Sequence, residues 1–394
     1  MADNLSDTGM AYRSTRAAAT SGANPPGKLW QPVWSGEVIH AYDEYNIFEP
    51  LVTAKTIPSG RVMEFPITGT IGLEAAWDAG EELMNGNNSK ATTFQVTLDK
   101  RPMAAHFDLD NVDLMVTQWE YRAELARQAG QTLANARDKQ IGAYLVRAGA
   151  EVQRSDGDAS GDDDPRPSMS LDNALYGDTD FANLGNTGVS ASKRIEAALK
   201  VLQAIEDFAV HLQTNNMPTG GCYCAVTPQA FMDIRSLGVA RASDISQVYN
   251  SQPMFGGVAQ SGGLGAPYTQ SLGALQDSLE YMGCKIIKTN HIPNTDSPTI
   301  GESRYSLLFA TAGIKAMIWQ DTAVAALRLQ GLKVDTVDDV RRNTTFTVAS
   351  MMSGTGVLRP ECAAVISSVA HASRAALDTA LGSNMVAEYG GANV

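Results

Sequence analysis

The sequence predicts an α+β fold built from a long hairpin, one very long helix and a segment of alternating helices and strands. Three observations carry this. Residues 61–69 and 93–107 alternate apolar and polar side chains at the strand period. Residues 113–150 hold an apolar stripe at the helical period and no proline. Beyond residue 190, helical and strand-like runs alternate. A chain of 394 residues suffices for two or three domains, and 44% hydrophobic residues suffice for a core.

Residues 1–29 are rich in Ser, Thr, Ala, Gly and Asn and close on Pro25-Pro26-Gly27, the composition of a flexible arm. Residues 29–49 bring Trp30, Trp34, Tyr42, Tyr45 and Phe48, and within them 35–45 read as a short helix capped by Ser35. In 61–69, Met63, Phe65 and Ile67 alternate with Glu64, Pro66 and Thr68. Phe94, Val96 and Leu98 form the apolar face of the next run, and Met103, Ala105 and Phe107 resume it one residue out of step. A one-residue slip turns a strand over, so a bulge or bend is expected at 99–102. Residues 70–93 connect the runs and carry Glu74, Asp78, Glu81 and Glu82. Loops this long in compact domains are usually functional or disordered. An isolated hairpin is marginal in water, so it must lie on something, and a neighbouring subunit is the natural candidate.

The helix of 113–150 shows Met115, Trp119, Ala126, Ala129, Leu133, Ala136, Tyr144 and Ala148 on one stripe. At about 1.5 Å per residue it spans roughly 54 Å. A break at Gly130 or Gly142 is the alternative. Residues 151–189 read as an exposed insertion, because 151–180 hold nine acids against Arg154 and Arg166, over half of the net charge of -13. Residues 190–213 read as a helix facing inward with Ile195, Leu199, Leu202, Ile205 and Val210, capped by Ser190 or Ser192. A buried strand at 222–227, a short helix at 228–234, a Gly/Ser/Gln-rich loop at 250–275 and a strand at 280–289 follow. Residues 304–318 and 344–368 are strand-like, and 371–394 form an Ala-rich tail of weak helical potential.

Chemistry is sparse. The acidic balance argues against a DNA-binding surface, which needs clustered Lys and Arg. The first 30 residues show no apolar signal region, and no apolar run reaches about 18 residues, so neither a secretory signal nor a membrane span is expected. Four cysteines without such a signal fit a reducing compartment. Cys222-Tyr-Cys224 lacks a second pair at zinc spacing and reads as small residues in a strand. His40, His106, His211, His291 and His371 form no paired spacing. The Asp-rich run 156–164 lacks the Glu that closes a calcium loop. Gly256-Gly257 and Gly262-Gly263-Leu264-Gly265 lack the Lys of a phosphate-binding loop. No catalytic residue, cofactor or metal ligand is therefore expected.

Several segments carry a resemblance. They are Ser35-Gly-Glu-Val-Ile39, Ile57-Pro-Ser-Gly-Arg-Val-Met-Glu-Phe-Pro-Ile-Thr-Gly69, Ala79-Gly-Glu-Glu-Leu83, the helix with Tyr121-Arg122 and Leu125, and Gly356-Val-Leu-Arg-Pro-Glu-Cys-Ala-Ala-Val365. In this order, over roughly 28–367, the chain resembles the major capsid protein of T-seven-like short-tailed bacteriophages. The resemblance implies the Hong Kong 97-type capsid fold. It divides the chain into an N-terminal arm (1–58), an E-loop hairpin (59–107), the P-domain spine helix (108–150), the acidic insertion (151–189), the A-domain (190–343), returning P-domain strands (344–370) and a C-terminal tail (371–394).

It also implies a structural role. Copies of the chain form hexamers and pentamers and close an icosahedral head around double-stranded DNA, which is enclosed but not read by sequence. Assembly in the bacterial cytoplasm on a scaffolding protein, with a portal at one vertex and no membrane, belongs to the same expectation. The insertion, the 250–275 loop and the tail depart from the family's pattern. An acidic wall suits a container, because DNA does not stick to it. Candidate inter-subunit residues are Glu74, Trp77, Asp78, Glu81 and Glu82 on the hairpin connection, with Arg341 and Arg342 as basic counterparts. The alternatives are an encapsulin-like cellular shell and a soluble α/β enzyme using the 256–265 loop.

Overall fold

Apolar alternation along the chain is realised in three sheets among the residues that the computed structural model describes: 31–68, 91–110, 121–150, 175–214, 217, 220–235, 278–293, 305, 307–339 and 343–382. The first sheet has the order β1 (Thr53–Thr56), β10 (Val324–Asp339), β11 (Thr344–Val357), β4 (Met103–Asp110). Its first pair is parallel and the others antiparallel. The second has the order β5 (Leu175–Gly177), β12 (Ala363–Ser367), β9 (Ile314–Gln320), β6 (Cys222–Val226), β8 (Cys284–Lys288), β7 (Ser278–Tyr281). The third is the antiparallel pair β2 (Val62–Thr68) and β3 (Ala91–Thr97).

Six α-helices accompany them among the described residues: α1 (Gln31–Tyr45), α2 (Tyr121–Ala150), α3 (Ala191–Thr214), α4 (228–235), α5 (Phe309–Ala312) and α6 (Arg374–Leu381). Helix α2 runs unbroken through Gly130 and Gly142. Gly130 serves packing instead: a Cβ there would stand 2.5 Å from the Val38 carbonyl, so glycine lets α1 lie directly on α2. From Ile141 to Ala150 every residue is buried, which is more than one stripe. This end of α2 is the axis of the largest core, with Tyr144, Leu145, Trp319, Val324 and Val365 around it. Buried Arg137 is matched there by Thr355 Oγ1 at 2.9 Å and the Gly354 carbonyl at 3.0 Å.

Several expectations are corrected. Helix α1 already runs at Gln31, so Ser35 lies inside it and is no cap. Val38, Tyr42, Phe48 and Val52 are buried, so residues 31–58 belong to the folded body and not to an arm. Of the bulge or bend expected at 99–102, the bend is what forms: the chain bends at 100–101 as it leaves the hairpin and enters the four-stranded sheet. The insertion expected over 151–189 ends sooner, since β5 joins a sheet and Phe181 and Leu184 are core residues. Residues 280–289 form a hairpin, turning through Met282 and Gly283 at φ 51 and 77. The expected split at 343/344 fails as well. Strand β10 belongs with β4 and β11, whereas β12 belongs with β6 and β9.

Val210 is 58% exposed, while Phe208 and His211 face inward. Residues 371–382 form no weak tail. Ser373 caps α6 by accepting from the Ala376 N–H, and Leu377 and Leu381 join the main core. Fully buried Arg374 donates to the carbonyls of Ala148, Pro360 and Ala363 at 3.1, 3.2 and 2.8 Å.

Candidate inter-subunit surfaces

Strand alternation gives the four-stranded sheet two faces. On one, Met103, Ala105, Leu332, Val334, Ala349 and Met351 pack against α1 and α2 through Val38, Tyr42, Ala126 and Leu133. On the other, even-numbered residues of β11 point away from the helices.

The hairpin β2–β3 is seated on this second face at one end of the sheet. Phe65, Val96 and Leu98 pack on Ala325, Leu327 and Leu358. Two glycines make room: Cβ atoms at Gly354 and Gly356 would stand 2.5 Å from the Thr97 carbonyl and 2.7 Å from the Val96 side chain. Leu98 N–H donates to the Arg61 carbonyl at 2.8 Å, and Asp99 N–H to the Ser353 carbonyl at 3.0 Å. The Tyr305 hydroxyl donates to buried Asp99 at 2.8 Å, fixing the crossover from hairpin to sheet. Val96 meets Gly356, Leu98 meets Gly354, and Met103 pairs with Met351. The chain therefore advances along β11 away from the hairpin, and the strands β2 and β3 extend from that end of the sheet. The hairpin thus has a seat on its own subunit, which the sequence did not reveal, while its pairing at Thr68↔Ala91 leads outward into residues 69–90.

Glu74, Trp77, Asp78, Glu81 and Glu82 fall in 69–90, outside the described residues. Arg341 and Arg342 fall in the connection between β10 and β11 and lie outside them too. The Asp-rich run 156–164 and the glycines of 256–265 are likewise outside.

A polar knot joins α1 to the sheet beside the hairpin. Glu49 is ion-paired with Arg328 and accepts from Tyr42 at 3.0 Å and Asn46 at 2.7 Å. Burial alone raises a carboxyl pKa, but hydrogen bonding from Arg328 and the charges of Arg137 and Arg328 hold Glu49 below its ordinary value. A cleft of about 300 Å³ opens next to it, lined by Asp43, Asn46, Glu49, Lys55, Thr56 and Arg328. Since both Glu49 oxygens are engaged by the chain itself, the cleft has the chemistry of a structural brace and not of a ligand site. Asp138 makes a second brace: it accepts from the Ile47 and Phe48 N–H groups at 2.9 and 3.0 Å and meets His291 Nδ1 at 2.9 Å.

Cys222 and Cys224 sit in the expected strand and Cys284 opens β8, whereas Cys362 closes a short 3-10 helix at 360–362 and not a strand. Cys222, Cys224, Cys284 and Cys362 are free and buried. Among the described residues no cluster of His, Cys, Asp or Glu is arranged to hold a metal ion, and no helix is long and apolar enough to cross a membrane.

No protein-family model matches the sequence, and no curated protein matches it. Solved structures do. The capsid structure of the cyanophage P-SCSP1u aligns with a TM-score of 0.59 and 24% identity, over 82% of this chain and 88% of that one. The mature capsid asymmetric unit of bacteriophage PhiM1 aligns with a TM-score of 0.57 and 11% identity, over 89% and 91%. The long helix, the projecting hairpin and the two larger sheets thus form the Hong Kong 97-type capsid fold.

Proposed function

We propose that this chain is the major capsid protein of a short-tailed, T-seven-like bacteriophage, a structural subunit that closes with copies of itself into an icosahedral head. The observation that carries the reading is the capsid fold spanning nearly the whole chain, with a hairpin leading away from the subunit. A two-stranded ribbon projecting beyond its own sheet is marginal in water and gains stability on a neighbour. Hexamers and pentamers of such subunits share one heterologous contact repeated around closed rings. Double-stranded DNA is enclosed and not sequence-specifically bound, in keeping with the net charge of -13. A scaffolding protein and a portal complete the assembly, which takes place in the host cytoplasm. The segments 57–69 and 356–365 support the short-tailed phage assignment within the fold. The chain acts by holding shape and not by catalysis.

Sedimentation velocity on the purified chain, with negative-stain microscopy of the fast fraction, tests this. Closed shells or rings of five and six subunits are expected. A monomer that persists at high concentration and with scaffold supplied refutes the reading. Deleting residues 72–90 is expected to abolish closed particles while the remainder still folds, whereas a soluble enzyme would keep its oligomeric state.

A further inference from the structure

The hairpin covers only part of the second sheet face. Towards the β10–β11 connection, three cross-strand rows lie on that face: Lys333–Ser350–Ala104, Asp335–Val348–His106 and Val337–Phe346–Asp108. Phe346, Val348 and Val337 are half-buried and belong to none of the apolar clusters among the described residues. The Phe346 and His106 rings lie 5.8 Å apart and tilted at 48°, and Asp335, 56% exposed, is ion-paired with Lys333 at 2.8 Å. On this face Asp108, Asp110, Asp335 and Asp339 stand against Lys333, so its balance is acidic.

The hairpin end has the opposite character. Lys55, Arg61, Lys100 and Arg101 are all exposed there, around Val62, which is 46% exposed. Glu64 is the exposed acid among them and is hydrogen-bonded to Gln95 at 3.0 Å. Along β11 the hairpin base at Gly354 lies six residues from the Val348 row, about 20 Å at roughly 3.3 Å per residue, and the sheet between them holds the two surfaces apart within one subunit.

We propose that they meet between subunits: the basic end around Val62, Arg61 and Arg101 of one copy docks on the apolar and acidic sheet face around Phe346, Val348 and Asp335 of the next. This rests on the shell reading above and names one of its contacts. Self-pairing of either surface would set like charges against each other. Opposite charges favour the heterologous arrangement, which closes into rings.

Charge exchange tests it. The reversals Arg61→Glu with Arg101→Glu, and separately Asp335→Arg with His106→Arg, alter exposed side chains, so each variant should fold as the wild type does by circular dichroism. Each pair alone is expected to lower particle yield about tenfold at low salt. All four changes in one chain are expected to restore it. A second readout does not depend on charge: a chain with Val62→Cys and Phe346→Cys, assembled and treated with a short bismaleimide, should give covalent ladders of subunits.

Wild-type shells with unaltered yield in both reversals overturn the inference alone, as does failure of the fourfold exchange to restore assembly, or the absence of ladders in assembled particles. A wild-type chain that never assembles overturns the shell reading and this contact with it.

Discussion

Replacing Gly354 by alanine tests whether the hairpin is seated as described. An added Cβ would stand 2.5 Å from the Thr97 carbonyl oxygen and 2.8 Å from Leu98 Cα, both backbone atoms that no rotamer change can move. Alanine gains about 0.4–1 kcal/mol by restricting the unfolded chain. Overpacking costs about 1–3 kcal/mol. The net loss is then between about 0 and 2.6 kcal/mol, centred near ~1.3. Releasing the hairpin instead would expose Phe65, Val96 and Leu98, at about 1.5–3 kcal/mol each, so the strained seat is the cheaper outcome.

Gly331 in β10 is the control, because a Cβ there meets nothing within 4 Å. Gly331→Ala should stabilise by up to about 1 kcal/mol. Urea unfolding of the unassembled chain, followed by intrinsic fluorescence, measures both, and amide exchange at 96–99 locates the effect. A Gly354→Ala chain as stable as Gly331→Ala would refute the seat.

Arg374→Ala leaves three buried carbonyls without their donor and should cost at least about 3 kcal/mol; an unchanged urea midpoint would deny α6 its place in the core. Acidification should weaken the fold in two stages. Burial first, and then the charge of Arg374, hold His211 below 6.5, so the unfolded chain takes the proton first and stability falls as pH drops below 6.5. Glu49, held below 4.5, contributes stability above that pH and loses it further down. His211→Gln should flatten the profile between pH 7 and 5 and Glu49→Gln the lower part; parallel profiles would contradict both. Burial pushes the Cys362 thiol up to about 12 and raises Cys224, while Cys284 is raised by its hydrogen bond with Cys222 and by burial. All four thiols should react with a disulfide reagent only at the rate of unfolding; prompt reaction of the native chain would show that the six-stranded sheet opens.

What the sequence determined by itself was local and periodic. The alternation of Met63 and Phe65, and of Val96 and Leu98, marked the hairpin, because a strand's faces are written every second residue. Helix α2 was legible as one rod, and Cys222–Val226 as a buried strand, for the same reason. Helix α1 was legible too, though its start was misplaced by Ser35, which lies inside it. The order of elements carried enough to name the capsid fold.

Tertiary structure decided what no period encodes. Residues 99–102 showed a change of phase, but only the four-stranded sheet revealed that the chain bends there to change partners. Strand β10 went unread because its buried part, 324–327, is short and the rest carries exposed charges such as Lys333 and Asp335, so only pairing with β1 and β11 makes it a strand. Gly354 and Gly356 looked like weak points in a strand and are instead the seat of Val96 and Leu98. Arg374 looked like a surface charge in an Ala-rich tail, yet it is enclosed by carbonyls from α2 and the approach to β12. Burial and charge partnership are properties of which surfaces meet, and that is fixed only when distant segments pack.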